Sequence, residues 1–235
     1  MKHTFLIKDW LSSFLSLLFP RCCVVCGRPL AKGEECICTV CNINLPRTNY
    51  HLRKDNPVER LFWGQIPLER ATSFFFYEKG SDFRLILHRL KYGGQKEIGA
   101  IMGRYMAAEL LSSNFFQGID VIIPIPLHKK KQQIRGYNQS EWIARGIAAV
   151  TGIPIDTESI LRKKNTETQT RKSVFERRDN VEGIFELQHP ETLAGKHILI
   201  VDDVLTTGST TLACASCLVD VEDIRISILT LATVE

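Results

Sequence analysis

Two adjacent carboxylates, Asp202 and Asp203, follow an apolar segment and precede a turn that is rich in hydroxyl groups. The whole stretch, residues 198–210, has the sequence ILIVDDVLTTGST. Ionised carboxylates only accept hydrogen bonds, so the pair can hold two neighbouring hydroxyl groups of a ribose. Hydroxyl side chains can donate to phosphate oxygens. Together the two parts predict a site that grips both ends of a ribose 5-phosphate.

The turn comprises Thr206, Thr207, Gly208, Ser209 and Thr210, and a helix is predicted to follow it. A helix N-terminus presents unpaired N–H groups and the positive end of the helix dipole, which together favour a phosphate. The glycine allows the backbone to approach such a ligand closely. The sequence therefore predicts that the phosphate lies on this turn.

Three other interpretations of the same stretch compete with this one. A Walker-type phosphate loop ends in Gly-Lys-Ser/Thr, and this turn has no lysine. A response-regulator receiver carries its acidic pair near the start of its domain, whereas this pair lies close to the end of the chain. The third interpretation is a capped helix after a coincidental acidic pair, because Thr and Ser favour helix starts. A strand, an acidic pair and a turn in this order favour the ligand site.

Basic residues are concentrated in the middle of the sequence, after a predicted strand that ends in Pro-Ile-Pro. At the end of a strand they can hold a pyrophosphate and stabilise the negative charge that develops on it as it leaves a sugar. The candidate catalytic residues are Arg135 and the two carboxylates, Asp202 and Asp203. The predicted basic loop comprises Lys129, Lys130, Lys131, Arg135 and Arg178. Arg135 is the favoured residue, and the other four are weaker candidates, as are Arg162, Arg171 and Arg177. A solvated surface explains any single one of them equally well.

Two Cys-x-x-Cys pairs with eleven residues between them predict a tetrahedral Zn²⁺ site. The predicted ligands are Cys23, Cys26, Cys38 and Cys41. Cys22 and Cys36 are alternatives for one of these places. Four thiolates leave no open position on the metal, so the site is predicted to be structural. A disulfide interpretation would need an oxidising compartment, and nothing in the sequence indicates one.

Strand and helix signals alternate from about residue 61, which predicts an α/β domain with a mainly parallel sheet flanked by helices. The predicted strands are 72–77, 120–125, 195–201 and 223–230, and the predicted helices are 81–92, 98–111, 139–150 and 209–219. Ligands bind outside the carboxyl ends of strands in such sheets, where the acidic pair is expected. We predict a module over residues 1–60 and an α/β domain over residues 61–235.

The first residues of the chain are apolar, but Lys8 and Asp9 interrupt them and no cleavage site follows. Residues 5–19 are too few to cross a bilayer, which takes about 20 apolar residues. Their helical spacing predicts an amphipathic helix packed on the protein, with membrane attachment as the weaker alternative. We expect no membrane span and a cytoplasmic location.

An apolar fraction of 44% suits a globular protein, and a net charge of +4 does not by itself indicate a nucleic-acid binder.

The stretch at 198–210 closely resembles the diphosphate-sugar signature of type I phosphoribosyltransferases. The resemblance implies that Asp202 and Asp203 contact the ribose hydroxyls and that residues 206–210 cradle the 5-phosphate of phosphoribosyl pyrophosphate. It also implies a Mg²⁺ ion bound mainly through the diphosphate.

Further stretches resemble the ComF/GntX family of competence-associated, phosphoribosyltransferase-like proteins. They are LKYG at 90–93, PIPL at 124–127, RGYNQ at 135–139, TQ at 168–169 and RDNV at 178–181. With the cysteines and the sugar signature they cover nearly the whole chain. The resemblance implies a type I phosphoribosyltransferase fold with an N-terminal Cys₄ zinc ribbon, and a role in natural transformation alongside the competence machinery.

Two main functions follow as hypotheses. The first is a phosphoribosyltransferase whose acceptor is chosen by residues 61–111, although no side chain stands out as a general base. The second is a single-stranded DNA-binding protein in which the phosphoribosyltransferase fold is a ligand-binding or regulatory module. Basic grooves with stacking aromatic rings bind single strands without sequence preference, and Tyr137, Trp142 and Phe175 lie near the basic residues. Nucleobase salvage is a third possibility that the fold permits.

Overall fold

A computed structural model describes residues 20–163 and 183–234 of the chain. Its strands are β1 (Leu68–Tyr77), β2 (Val121–Pro124), β3 (Ile160–Arg162), β4 (Phe185–Leu187), β5 (His197–Leu205) and β6 (Arg225–Val234). Within these ranges, four strands form the main sheet in the order β1-β6-β5-β2, and all neighbouring strands are parallel. β3 and β4 pair separately as an antiparallel ribbon. The predicted α/β class with a mainly parallel sheet is confirmed.

Seven α-helices are present in the described ranges. They are α1 (Thr39–Ile43), α2 (Pro57–Arg60), α3 (Arg84–Tyr92), α4 (Glu97–Leu110), α5 (Lys129–Arg135), α6 (Gln139–Thr151) and α7 (Ser209–Ser216). Short 3₁₀ turns cover Tyr50–Leu52, Leu111–Ser113 and Pro190–Thr192. The four predicted helices correspond to α3, α4, α6 and α7, with ends that differ by a few residues.

The main sheet is covered on both faces. Alternate side chains of β5 point to opposite faces, as the pleat requires, so Ile198 and Ile200 enter one core while Leu199 and Val201 enter the other. Burial on both faces explains why β5 is a continuous apolar run. One core includes residues of α3, α4 and α6, and the other includes residues of α7 and of the β3–β4 ribbon.

Helices α4 and α6 lie unusually close together because glycines face each other across the contact. A Cβ atom at Gly103 would clash with the carbonyl oxygen of Ile143, and one at Gly146 would clash with that of Ala100. Larger side chains at either glycine would therefore push the helices apart. This packing holds α6 against α4, and the first residues of α6 contribute to the site described below.

β5 is longer than predicted. The predicted strand stopped at residue 201, before the acidic pair, whereas β5 continues to Leu205. The parallel neighbour β6 runs on to Val234 and pairs with the additional residues, including Asp202 with Thr230 and Leu205 with Thr233. The acidic pair therefore lies in the last part of the strand instead of just beyond it.

The prediction of a basic loop at residues 129–135 was wrong, because these residues form helix α5. His128 caps it by accepting a hydrogen bond from the Lys130 N–H at 3.2 Å, and Gly136 ends it with a φ of 79°. Lys, Gln and Arg are all good helix formers, so a capped run of them after Pro126 can fold into about two turns of helix. Arg178, the fifth residue of that predicted loop, lies outside the described residues.

The cysteine-rich segment packs on α4 and on the edge strand β1. The Cys36 thiol contacts the Met102 sulfur at 3.9 Å, and the Phe76 N–H donates to the Pro46 carbonyl at 2.8 Å. Several of its buried residues belong to the same core as those of α4. The predicted division near residue 60 stays a prediction, but the two sides of it share one hydrophobic core.

The predicted N-terminal helix at residues 5–19 lies outside the described residues. In the part of the chain that the structure covers, no helix has the length and apolar character needed to cross a bilayer.

Candidate functional site

A cleft of about 340 Å³ opens at the carboxyl ends of β5 and β2. Asp202, Asp203, Thr206 and Thr210 line one side of it. The described basic side chains that line it are Lys91, Lys131, Arg135 and Arg162. The fold therefore brings the predicted acidic pair, part of the predicted turn and part of the predicted basic group into one concave space.

Each carboxylate of the acidic pair has its own partner. The Ser140 hydroxyl donates to Asp202 Oδ1 at 2.9 Å, and the Asp203 N–H donates to the same oxygen at 2.8 Å. Lys91 Nζ lies 3.1 Å from Asp203 Oδ1 in an ion pair. These contacts orient the two side chains before any ligand binds. Neither Ser140 nor Lys91 was predicted as a site residue, although both lie in or beside the family-like stretches LKYG and RGYNQ.

The surroundings of the acidic pair alter its titration. Burial, and next the neighbouring charge of Asp203, raise the pKa of Asp202 to about 7. Burial lowers the pKa of Lys131, and the nearby Arg162 and Arg135 lower it further. The cleft therefore contains several positively charged side chains, and the Asp202 carboxyl group titrates near neutral pH. Such a site attracts anions.

The turn after β5 contains a glycine in a left-handed conformation and leads directly into α7. Gly208 adopts a φ of 74°, a left-handed conformation that non-glycine residues adopt at a cost. α7 begins at Ser209, and the Thr207 and Ser209 hydroxyls are 2.8 Å apart. Thr206 and Thr210 line the cleft, whereas Thr207 and Ser209 are not among its lining residues.

Helix α5 divides the predicted basic residues into two groups. Lys131 and Arg135 line the cleft because residues four apart lie on the same face of a helix. Lys129 and Lys130 lie elsewhere on α5 and do not line it. Arg135 donates to Gln139 Oε1 at 2.7 Å, and its guanidinium lies 5.4 Å from the centre of the Tyr92 ring.

The three aromatic residues considered for stacking differ in their environment. Tyr137 is buried, and its hydroxyl donates to the Leu90 carbonyl, so it belongs to the core. Trp142 is half-buried, with Lys96 and Arg145 over its ring at 4.7 and 5.1 Å. Phe175 lies outside the described residues.

The four predicted zinc ligands lie together, with all their sulfur atoms within 4.8 Å of one another. Those of Cys26 and Cys38 are 3.8 Å apart. A tetrahedral ion with Zn–S bonds of about 2.3 Å requires sulfur atoms roughly 3.8 Å apart, so the arrangement fits zinc. Cys36 is buried against Met102, and the exposed Cys22 thiol contacts the Pro20 carbonyl at 3.4 Å. The two spare cysteines therefore do not join the cluster.

Backbone N–H groups surround these sulfur atoms, as they do in metal-binding turns. The Cys38 N–H donates to the Cys23 sulfur at 3.3 Å, and the Cys41 N–H donates to the Cys38 sulfur at 3.4 Å. The Arg28 side chain donates to the Cys26 sulfur at 3.5 Å and lowers the pKa of that thiol to about 6. Hydrogen bonds of this kind favour thiolates, which are the form that binds a metal.

Known proteins of similar sequence decide the family. The DNA utilization protein YhgH of Escherichia coli O157:H7 is 32% identical over 209 residues, which cover 83% of this chain and 88% of that protein. This chain belongs to the ComF family. Its relatives include Competence protein ComFC of Bacillus subtilis, 26% identical over 90% of this chain and 83% of that protein. Competence protein F of Haemophilus influenzae is 31% identical over 54% of this chain and 57% of that protein. No protein-family model matches the ComF-family chain.

Solved structures give a weaker comparison for this ComF-family protein. Adenine phosphoribosyltransferase from Leishmania tarentolae aligns with a TM-score of 0.38 and 12% identity, over 80% of this chain and 94% of that one. A glutamine phosphoribosylpyrophosphate amidotransferase from Bacillus subtilis aligns with a TM-score of 0.37 and 19% identity, over 58% of this chain and 26% of that one. Scores this low do not assign the fold, which is described by the strand order above.

Proposed function

We propose that this ComF-family protein binds phosphoribosyl pyrophosphate together with Mg²⁺ and transfers the phosphoribosyl group to an acceptor. The proposal rests on one observation. The acidic pair, two threonines of the turn (Thr206 and Thr210) and four basic side chains all line the same cleft. The ligand has two vicinal hydroxyls, a terminal phosphate and a diphosphate, and each part has a complementary group there.

The acidic pair binds the ribose. Asp202 and Asp203 accept hydrogen bonds from the 2′- and 3′-hydroxyls, while Ser140 and Lys91 hold the two carboxylates in place. The 5-phosphate lies at the start of α7, where the backbone N–H groups and the hydroxyls of Thr206 and Thr210 donate to it. The two contacts fix the sugar at both ends and leave its C1 atom facing the basic side of the cleft.

Lys131, Arg135 and Arg162 bind the diphosphate. During transfer the acceptor atom forms a bond to C1 with its own electron pair, and the C1–O bond breaks with its electrons leaving on the diphosphate. A proton lost by the acceptor passes to that diphosphate. Positive charge placed around the leaving group stabilises the negative charge where it develops.

The acidic pair also suits a magnesium ion, because carboxylates are the hard oxygen ligands that Mg²⁺ prefers, and it usually binds through one or two of them plus substrate phosphates. When bound, Mg²⁺ would neutralise part of the diphosphate charge. Asp202 and Asp203 would be the residues of this chain that hold it.

The cysteine cluster is proposed to hold a structural Zn²⁺ ion within a zinc-ribbon module over residues 1–60, joined to a phosphoribosyltransferase domain over residues 61–235. Its support is the spacing of the four sulfur atoms and their contacts with backbone N–H groups. Reduced thiolates of this kind suit the cytoplasm, which is the proposed location.

Isothermal titration with phosphoribosyl pyrophosphate and Mg²⁺ tests the proposed function. Binding should be measurable for the unaltered protein and should weaken at least about 100-fold in the Asp202→Asn/Asp203→Asn double variant, because hydrogen bonds to charged groups contribute about 1.5–3 kcal/mol each. Asp220→Asn, which changes an exposed carboxylate away from the cleft, is the matched control and should bind normally. Equal binding by the double variant and the control would contradict the proposal.

A second candidate is single-stranded DNA binding, which the names of the relatives and two pairings of rings with basic side chains favour. The Trp142 ring lies near Lys96 and Arg145, and Tyr92, which is 68% exposed, lies beside Arg135. Bases can stack on such rings while the basic groups contact phosphates. Gel shifts at increasing salt should show affinity that falls steeply for the unaltered protein and is already weaker in Trp142→Ala. Affinity that is insensitive to salt would contradict this candidate.

A further inference from the structure

A second cleft, of about 670 Å³, lies on the other side of the carboxyl end of β5. It extends toward the end of β1 and is walled by α3, whereas the first cleft extends toward β2. Lys91, Val204 and Thr206 line both clefts and form the ridge between them. A molecule in the second cleft therefore borders the sugar site directly.

The second cleft differs in chemistry from the sugar site. Leu85, Leu87 and Val204 give it an apolar wall, and the Tyr77 and Tyr92 side chains give it aromatic rings. Among the described residues that line it, the charged ones are all basic: Lys79, Arg84 and Lys91. This combination of apolar, aromatic and basic side chains suits a planar, apolar ligand that carries a negatively charged group.

Two contacts hold side chains of the second cleft in positions that suit such a ligand. The rings of His88 and Tyr92 lie 5.3 Å apart at an angle of 50°, so they form an aromatic corner at the rim. The Arg84 guanidinium donates to the Lys79 carbonyl at 2.8 Å, which uses one of its N–H groups and anchors the side chain. Its remaining N–H groups can donate to a carboxylate.

We propose that the second cleft holds the acceptor of the phosphoribosyl group and that the acceptor is a planar ring compound bearing a carboxylate. This inference rests on the function proposed above. Arg84 and Lys79 bind the carboxylate, the apolar wall and the aromatic corner hold the ring, and a ring or amino nitrogen faces C1 across the ridge at Lys91. The nitrogen forms the bond to C1 with its own electron pair as the diphosphate departs with the pair of the C1–O bond. An N–H nitrogen then gives its proton to the diphosphate, whereas a ring nitrogen without a proton becomes positively charged.

Ligand-observed NMR with matched pairs of compounds tests the inference. The probes are nicotinate with nicotinamide, and orotate with uracil, so that each pair differs mainly in one carboxylate. We expect the carboxylated member of at least one pair to bind and the uncharged member to bind at least about tenfold more weakly. Arg84→Gln should reduce the binding of the carboxylated probe about tenfold, since it removes a charged donor.

Two controls separate this inference from the proposed function. Lys54→Gln changes an exposed lysine outside both clefts and should leave all binding unchanged. Titration of the Arg84→Gln variant with phosphoribosyl pyrophosphate and Mg²⁺ should give the unaltered affinity, because Arg84 does not line the sugar site.

The outcomes are distinct. If the sugar binds but neither pair of probes shows preference for the carboxylate, or Arg84→Gln changes nothing, the acceptor class is wrong and the proposed function stands. If the protein binds carboxylated rings but never the sugar, the proposed function and the acceptor role both fail. Sugar binding together with Arg84-dependent binding of a carboxylated ring supports both proposals.

Discussion

The cysteine cluster, called the centre below, and the proposed sugar-binding cleft are built in opposite ways. The centre takes all four sulfur atoms from one short segment, residues 23–41, where a turn presents Cys23 and Cys26 and the start of α1 presents Cys38 and Cys41. The cleft takes Lys91 from α3, Ser140 from α6 and the acidic pair from β5, so it exists only when the whole sheet is assembled. Spacing along the chain is therefore enough to predict the centre, whereas the cleft's supporting residues depend on the tertiary fold.

The largest effect is expected from breaking the centre. Cys38→Ser removes a ligand and should lower the free energy of unfolding on the order of 4 kcal/mol, because metal loss exposes a core that the cysteine segment shares with α4. Metal content by mass spectrometry and thermal melting measure it. Cys22→Ser, at an exposed cysteine outside the cluster, is the control and should keep one zinc per chain. Equal metal content in both variants would show that the centre does not hold the ion.

A double-mutant cycle on Lys91 and Asp203 probes the long-range assembly of the cleft. Lys91→Gln leaves the buried Asp203 carboxylate without its ion pair, so the single variant should lose about 1–3 kcal/mol of stability. The cycle with Asp203→Asn should then give a coupling energy above about 0.5 kcal/mol in chemical denaturation. Additive effects of the two substitutions would mean that the ion pair does not form in solution.

The titration of Asp202 predicts a pH dependence for sugar binding. Its pKa of about 7 in the folded protein is raised above the usual value, so Asp202 is mostly protonated at pH 6 and mostly ionised at pH 8. Because the ionised form accepts the ribose hydroxyls, affinity should rise up to about tenfold from pH 6 to pH 8. Asp202→Asn should retain only the pH dependence that comes from the ligand's own phosphates. An unchanged pH profile in that variant would contradict the assignment.

The raised pKa of Asp202 also makes the stability of the folded protein depend on pH. A raised pKa means that the folded protein holds the Asp202 proton more tightly than the unfolded chain does. The resulting stabilisation is complete below about pH 4 and is lost as the pH rises through about 7. Chemical denaturation between these values, compared with Asp202→Asn, measures this contribution.

A further effect is expected at the turn. Gly208→Ala should cost about 1–2 kcal/mol because alanine is strained at a φ of 74°, and its Cβ would touch the Phe62 ring at 3.4 Å. Sugar affinity should fall as well, since the turn no longer holds the phosphate. Gly195→Ala, at a φ of 69° in a turn outside both clefts, should cost similar stability but leave affinity unchanged. Equal affinity in the two variants would contradict a phosphate role for the turn.

Much of the fold follows from local patterns in the sequence. The strands and helices that were predicted are present because buried strands give apolar runs and glycines end helices, as at Gly152 after α6. The end of β5 could not be predicted, since it depends on pairing with a neighbour. α5 was missed because a run of lysines resembles a solvated loop, and its cap, His128, is an uncommon capping residue.

Part of the candidate site could likewise be predicted from the sequence, and part of it could not. The acidic pair, the turn and the four cysteines were found from residue type and spacing. Ser140 and Lys91 were not found, because their role depends on contacts with residues far away along the chain. The basic residues were identified as a group, and only the helical geometry of α5 separates Lys131 and Arg135 from Lys129 and Lys130.

A crystal structure with phosphoribosyl pyrophosphate and Mg²⁺ is the most direct test of the central claim. We predict ribose density with its hydroxyls against Asp202 and Asp203 and the 5-phosphate at the N-terminus of α7. Density for the sugar at any other place, with the cleft at the carboxyl ends of β5 and β2 filled only by water, would contradict the account.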